Sequence, residues 1–189
     1  MIFRAIKLAT DAHEGQYRKG TSIPYITHPM NVMKTLSEIG CDEEVVVAGI
    51  LHDVLEDTPV RPDVIERKFG KRVVNMVVAA SEPEELRDKK GVEGWQKRKQ
   101  HTIDHILNTP SVDKLLVSCA DKLDNARAIQ YDYERIGDKL WTRFNAGKEK
   151  VKWYYQSLAQ AFLKRASDTG SPLSDLAKEL DKTVKAVFG

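Results

Sequence analysis

The chain has 189 residues, of which 41% are hydrophobic and 31% charged, and this composition is typical of a globular domain with a substantial core. The formal net charge of +2 gives no reason to expect a nucleic-acid partner, and no apolar run approaches the roughly 18 residues that a membrane span needs. Two widely spaced cysteines, Cys41 and Cys119, and an N-terminus without a long apolar stretch predict free thiols and a cytoplasmic location.

The predicted elements are mostly helices, because apolar residues recur three and four positions apart and no stretch sustains a period-two alternation. In the first half we predict a helix over 2–14, a loop or short hairpin over 15–27, and helices over 29–39, 43–56, 62–69 and 71–80. In the second half we predict a mobile polar loop over 82–94 and helices over 95–107, 112–129, 138–165 and 174–187. The expected fold is a single all-α domain over residues 1–189.

The predicted helix over 43–56 is apolar along most of its length but ends in polar side chains, namely His52, Asp53 and Glu56, with Asp57 directly after them. Because residues three and four apart share a helix face, this end would present an imidazole and up to three carboxylates on one wall. Burying such charges costs several kcal/mol unless something compensates them. A divalent cation would do so, and nitrogen plus oxygen ligands suit Mn²⁺, Fe²⁺ or Zn²⁺.

Two distant residues are candidates to complete a metal site. His28 stands in "PYITHP", in the loop before the helix over 29–39, and Asp121 stands beside the apolar stripe of the helix over 112–129. Taken one at a time, such residues are more often structural. A lone His-Asp dipeptide is a weak signal, Glu56 and Asp57 alone would be a solvated helix end, and Asp121 alone would be an acid on a helix surface. Their joint pattern, a histidine before a helix, a His-Asp pair after an apolar helix and a distant aspartate, arises far more rarely by chance.

Four segments carry a resemblance to a known family, namely "AHEGQYRKGTSIPYITHPMNVMKTL", "AGILHDVLEDT", "IERKFGKRVVNMV" and "CADKLDNAR". In this order they resemble the HD-domain metal-dependent phosphohydrolases. More narrowly, they resemble the hydrolase half of the RelA/SpoT alarmone enzymes and the stand-alone small alarmone hydrolases. The resemblance covers about residues 3 to 130. It implies an all-α HD-domain helical bundle that hydrolyses the 3′-pyrophosphate of guanosine-3′,5′-bis(diphosphate), ppGpp.

The resemblance also implies which residues act. One Mn²⁺ is expected to be held by His28, His52, Asp53 and Asp121, with a metal-bound water as the nucleophile. Glu56 and Asp57 match the family's Glu-Asp pair, which serves the attacking water and the phosphate end. A nearby carboxylate can accept the proton of such a water, so the expected roles agree with the chemistry of these side chains.

Cationic and amide side chains are the expected substrate contacts. Arg18 and Lys19 match a family pair that contacts the nucleotide, although without the resemblance they would be read as a solvated loop pair. Asn125 matches a substrate-contacting Asn, and Lys122 precedes it on the same helix. Arg98 is expected near phosphate because it stands in a cationic run after the loop over 82–94.

Two positions depart from the family pattern, so the base and phosphate preference stays open. Asp124 stands where relatives have an aromatic ring or histidine, and Ala128 stands where the bifunctional enzymes often have threonine. Two alternatives follow: an HD-domain phosphatase or phosphodiesterase acting on another nucleotide, and a nucleotide-binding protein without turnover. The expected partner is a small-molecule nucleotide, with no nucleic acid and no membrane, and a homodimer stays open.

Overall fold

The structure is a computed structural model that describes residues 1–81 and 91–189. Its helices are α1 (Ile2–Ala12), α2 (Thr27–Glu38), α3 (Glu43–Leu51), α4 (Val54–Asp57), α5 (Pro62–Phe69), α6 (Lys71–Ala80), α7 (Gly91–Asn108), α8 (Val112–Ile136), α9 (Gly147–Thr169) and α10 (Leu173–Phe188), with a 3₁₀ helix over Gly137–Arg143. Among the described residues there is no strand, only one antiparallel bridge between Tyr17 and Pro24. The predicted all-α fold is confirmed.

The described residues form two compact units. The first contains Met1–Ser81 and the short segment Leu116–Asp121 of α8, and it holds every predicted metal ligand. The second contains the rest of the described chain, up to Leu115 and from Lys122 to Gly189. A single domain over residues 1–189 stays a prediction.

In the first unit, α3 is the central helix. Its residues from Val45 to Leu51 are all buried, because α1, α2 and α6 pack around it. Gly49 allows α2 to come close: a Cβ there would meet Leu36 well inside contact distance and Val32 Cγ1 at 3.2 Å. The continuous apolar sequence of α3 is therefore explained by burial on several sides.

In the second unit, α9 packs against α7 and α10. Leu158 and Phe162 of α9 and Leu180 of α10 are fully buried and belong to its core. Cys41 and Cys119 are both free, as the sequence predicts. No helix in the described part of the chain is long and apolar enough to cross a membrane.

Several helix boundaries differ from the predicted ones. The helix predicted over 138–165 is wrong at its start, where a 3₁₀ helix ends at Arg143 and α9 begins at Gly147. The helix predicted over 112–129 continues to Ile136, where Gly137 with φ 55° ends it. Because glycine takes this left-handed conformation without a Cβ clash, the residue is a natural stop.

The region predicted as a polar loop is only partly described. Residues 91–94 are helical and form the start of α7, so the loop predicted as far as 94 is wrong at this end. The remaining residues of that prediction, 82–90, lie outside the described residues.

Candidate metal centre

The four predicted ligands come from three segments of the first unit. His28 lies in the first turn of α2 rather than in the loop before it, and Asp121 lies in α8. His52 and Asp53 occupy the two residues between α3 and α4, where the helix predicted over 43–56 is interrupted. His28 and His52 are each 1% exposed and Asp121 is 6% exposed, so three of the four side chains are almost completely buried.

The two imidazoles lie close to each other and to both carboxylates. His28 Nε2 lies 3.1 Å from His52 Nε2, 3.2 Å from Asp121 Oδ1 and 3.4 Å from Asp53 Oδ2. His52 Nε2 lies 3.0 Å from Asp53 Oδ2 and 3.6 Å from Asp121 Oδ1. Donor atoms that each stand about 2.0–2.2 Å from one cation are separated by such distances, so the spacing of His28, His52 and Asp53 fits a shared metal ion. Asp121 Oδ1 lies beside both imidazoles of this group.

The ring orientation of His52 also fits a metal ligand. Its Nδ1 lies 2.8 Å from the carbonyl oxygen of Gly49, and an N–H at Nδ1 donates to that oxygen. The lone pair of the neutral ring is then at Nε2, the atom that faces Asp53 and Asp121. Lone pairs that meet at these distances repel one another unless a proton or a cation lies between them.

The electrostatics of the cluster call for positive charge. Burial alone would lower the pKa of His52, but the carboxylates of Asp53 and Asp121 outweigh it and raise that pKa well above its ordinary value. Burial would raise the pKa of Asp53, but His52 and His28 outweigh it and hold the pKa well below its usual range. Two buried imidazoles, the buried carboxylate of Asp121 and the partly buried carboxylate of Asp53 thus form a site suited to a divalent cation.

Tyr25 is a member of the site that the sequence analysis missed. Its hydroxyl donates to Asp53 Oδ2 at 2.5 Å. Burial, and then the neighbouring charge of Asp53, raise the pKa of Tyr25, so the hydroxyl keeps its proton. The available signal was its position three residues before His28, one helical turn away, although nothing in the residue type alone assigns it to Asp53.

The two predicted catalytic carboxylates lie in α4, directly after the metal ligands. Glu56 is half-buried, and the backbone carbonyl of Asp57 accepts a hydrogen bond from Gln16 Nε2 at 2.9 Å. Burial raises the pKa of Asp57, and the negative charge of Asp53 raises it further. Asp57 therefore differs from Asp53 in the direction of its pKa shift. The catalytic role of Glu56 and Asp57 stays a prediction.

Arg18 and Lys19 lie on a hairpin-like turn between α1 and α2. Backbone hydrogen bonds from Arg18 N to Ile23 O at 2.8 Å and from Tyr25 N to Gln16 O at 2.9 Å close this turn, as predicted for the region 15–27. The Arg18 guanidinium lies 5.8 Å from the centroid of the Tyr25 ring, and Lys19 is exposed. Through Tyr25, the turn that carries both cations is linked to Asp53.

The other predicted substrate contacts belong to the second unit. Arg98 lies in α7, and Lys122 and Asn125 lie in α8, all three of them half-buried. Asp124, one of the two departures from the family pattern, is 8% exposed. Substrate binding by the first three residues stays a prediction.

A comparison with protein families decides the membership of the chain. The HD-domain family model matches residues 5–151, which is more than half of the sequence and includes all four predicted ligands. This chain belongs to the HD-domain family. The predicted resemblance is thereby confirmed, and the helical fold is that of an HD domain.

Individual HD-domain relatives agree with this assignment. Over 128 residues the chain is 38% identical to the guanosine-3′,5′-bis(diphosphate) 3′-pyrophosphohydrolase of Escherichia coli O157:H7, a match that covers 67% of this chain and 18% of that protein. The chain thus spans about a fifth of the length of the curated relatives it matches.

Two solved structures match most of the chain. A protein of Listeria monocytogenes EGD-e is 32% identical with a TM-score of 0.73, over 89% of this chain and 100% of that one. A metazoan ortholog of SpoT, which hydrolyses ppGpp, is 27% identical with a TM-score of 0.72, over 95% of this chain and 93% of that one.

Proposed function

We propose that this HD-domain protein is a Mn²⁺-dependent phosphohydrolase that removes pyrophosphate from the 3′ position of ppGpp. The main observation in its support is a cluster of four side chains. In this cluster His28 Nε2 lies close to His52 Nε2 and to Asp121 Oδ1, and His52 Nε2 lies close to Asp53 Oδ2. Similarity to a 3′-pyrophosphohydrolase and to a ppGpp-hydrolysing SpoT ortholog supports the substrate. The reaction adds one water and yields GDP and pyrophosphate. A bound divalent cation would lower the pKa of a water molecule bound to it and would screen the negative charge of the phosphate oxygens.

The side chains around the cluster are proposed to divide the remaining work. Glu56 and Asp57 would orient the attacking water and accept its proton. Because its pKa is raised, the Asp57 carboxylate binds a proton more strongly than a solvated aspartate does. Arg18 and Lys19 would contact the nucleotide phosphates or base as cations.

The remaining substrate contacts are proposed by resemblance and by charge. Arg98 and Lys122 would pair with phosphate oxygens, and the Asn125 amide would hydrogen-bond the substrate.

A cytoplasmic location stays a prediction, and the oligomeric state stays open.

The proposal is tested by pyrophosphate release from ppGpp, measured with purified protein in the presence of Mn²⁺. We expect turnover by the unmodified chain and none by Asp53→Ala, because this change removes a carboxylate that faces both imidazoles. Asp63→Ala is the matched control, since Asp63 is exposed on α5 and pairs with Arg61 at the surface. Absence of pyrophosphate release with every divalent metal tried would overturn the ppGpp assignment.

A phosphohydrolase acting on another nucleotide is the second candidate function. Asp124 supports it, because a buried carboxylate replaces the aromatic ring or histidine that the family pattern has at this position. A panel of nucleotides assayed with Mn²⁺, Co²⁺ and Mg²⁺ separates the two candidates. A faster turnover of a different nucleotide would favour the second, and tight nucleotide binding with no product would favour a protein without turnover.

A further inference from the structure

We propose that Tyr25 is a positioning residue that holds the Asp53 carboxylate in its metal-binding orientation through the hydrogen bond from its hydroxyl. The inference rests on the metal centre described above and is independent of which nucleotide is hydrolysed. It adds a residue that lies outside the ligand set and the Glu56-Asp57 pair.

The hydroxyl of Tyr25 contacts the same carboxylate oxygen that faces the imidazoles. Asp53 Oδ2 accepts from Tyr25 at 2.5 Å and stands 3.0 Å from His52 Nε2. A carboxylate oxygen has two lone pairs. Oδ2 can therefore accept the hydrogen bond from the phenol with one lone pair and face a cation with the other. The hydrogen bond thus decides which oxygen of Asp53 faces the site and opposes rotation of the carboxylate.

The ring of Tyr25 is itself held in place on several sides. Its centroid lies 4.8 Å from that of His13 and 5.9 Å, edge-on, from that of His28. The backbone carbonyl of Tyr25 accepts from His28 N at 3.0 Å, so a single turn of backbone places both Tyr25 and a ligand. Arg18 lies against the ring at 5.8 Å. A hydroxyl on so constrained a ring has little freedom to leave Asp53.

A phenol hydroxyl has an ordinary pKa of about 10, so it is a hydrogen-bond donor at neutral pH. A tyrosinate in the same place would repel Asp53 instead of binding it. Hydrogen-bond partners of this kind contribute about 10–100-fold to metal affinity in other proteins.

The test compares Mn²⁺ affinity in the absence of any nucleotide. The whole chain is stripped of metal with a chelator, dialysed against Mn²⁺ solutions and assayed for bound metal, as the unmodified protein and as Tyr25→Phe. We expect Tyr25→Phe to bind Mn²⁺ about 10–100-fold more weakly, because the ring contacts remain while the hydrogen bond to Asp53 is lost.

Tyr17→Phe is the matched control. It removes the same hydroxyl from a tyrosine on the same turn, and the Tyr17 side chain is 59% exposed. We expect its Mn²⁺ affinity to equal that of the unmodified chain. A second readout is the rise in thermal unfolding temperature that Mn²⁺ produces within each variant, which is independent of any baseline change caused by the substitution.

Equal Mn²⁺ affinity for Tyr25→Phe and Tyr17→Phe, with Asp53→Ala showing lost affinity, would overturn the positioning role. A protein that binds Mn²⁺ yet releases no pyrophosphate would instead overturn the ppGpp proposal, and the affinity comparison would still decide the role of Tyr25.

Discussion

At the scale of single residues, the two aspartates at the start and end of α4 have opposite electrostatic environments. Asp53, which immediately precedes α4, is held ionised, since His52 and His28 outweigh burial and lower its pKa. Asp57, four residues later, has a raised pKa because burial and the charge of Asp53 both oppose ionisation. Titratable groups whose environments separate their pKa values often have different roles in one reaction. This difference supports the proposal that Asp53 binds the metal and that Asp57 accepts the proton.

This division of roles is tested with Asp57→Asn, which keeps the shape of the side chain and removes its basicity. We expect kcat for pyrophosphate release to fall about 10²–10⁴-fold, the usual contribution of a general base, while Mn²⁺ affinity stays unchanged. Asp63→Asn, on an exposed surface, is the control and should leave both quantities unchanged. Loss of Mn²⁺ binding in Asp57→Asn would show that Asp57 is a ligand instead.

At the scale of elements, α3 depends on the residue that begins it. Asp42 accepts hydrogen bonds from Glu44 N at 3.0 Å and Val45 N at 3.1 Å, and so caps the helix whose far end leads to His52. Arg72 of α6 contacts Asp42 at 2.6 Å and Glu44 at 2.7 Å. The cap therefore both starts the buried helix and connects it to a neighbouring one.

Asp42→Ala is expected to lower the free energy of unfolding by about 1 kcal/mol, the typical value of a lost N-cap. The Arg72 pair adds little at neutral pH because the Asp42 side chain is 52% exposed. The measurement is urea unfolding at pH 7. Asp11→Ala is the control, since Asp11 forms an exposed pair with Lys7 on the same helix, and it should change stability by less than about 0.5 kcal/mol.

The same variant has an expected pH dependence. The hydrogen bond from Arg72 lowers the pKa of Asp42 below its ordinary value of 3.8. A lowered folded-state pKa means that this stabilisation is complete above pH 3.8 and is lost as the pH falls through the folded-state value. The stability difference between Asp42→Ala and the unmodified chain should accordingly shrink in acid. If the stability difference between the two proteins stayed constant from neutral pH to below pH 3.8, the proposed contribution of the Asp42 carboxylate would be contradicted.

At the scale of the whole molecule, the four predicted ligands come from elements that are distant in the sequence. His28, His52 and Asp121 come from α2, the α3–α4 junction and α8. A cation bound by all of them would tie these elements together in the folded state only. Binding energy of this kind appears directly as stability, because the unfolded chain does not hold the ligands in one place.

We therefore expect Mn²⁺ to raise the thermal unfolding temperature and a chelator to reverse this effect. A concentration of Mn²⁺ a hundred times the dissociation constant adds about 2.7 kcal/mol to the free energy of unfolding. The rise should be much smaller in Asp121→Asn, which keeps the side-chain volume but removes a charge that faces both imidazoles. An equal rise in this variant would exclude Asp121 as a ligand.

Local pattern predicted most of the helices and failed where packing decides the chain path. The helix predicted over 43–56 is interrupted at His52 and Asp53, where His52 Nδ1 lies 2.8 Å from the carbonyl oxygen of Gly49. Both residues are helix-compatible by type, so no local signal marked this break. The helix predicted over 138–165 is broken between Arg143 and Gly147, and apolar spacing alone does not reveal this break.

The all-α class was predictable from helical spacing, the free cysteines from their wide separation, and the four clustered residues from an ordered set of motifs, all of which can be read along the chain. The folded chain was needed to show that Asp121 Oδ1 comes within 3.2 Å of His28 Nε2, far from it in the sequence, and that Tyr25 donates to Asp53. The physical reason is that a contact between distant side chains depends on how whole helices pack. Spacing within one segment carries no information about which hydroxyl will meet which carboxylate.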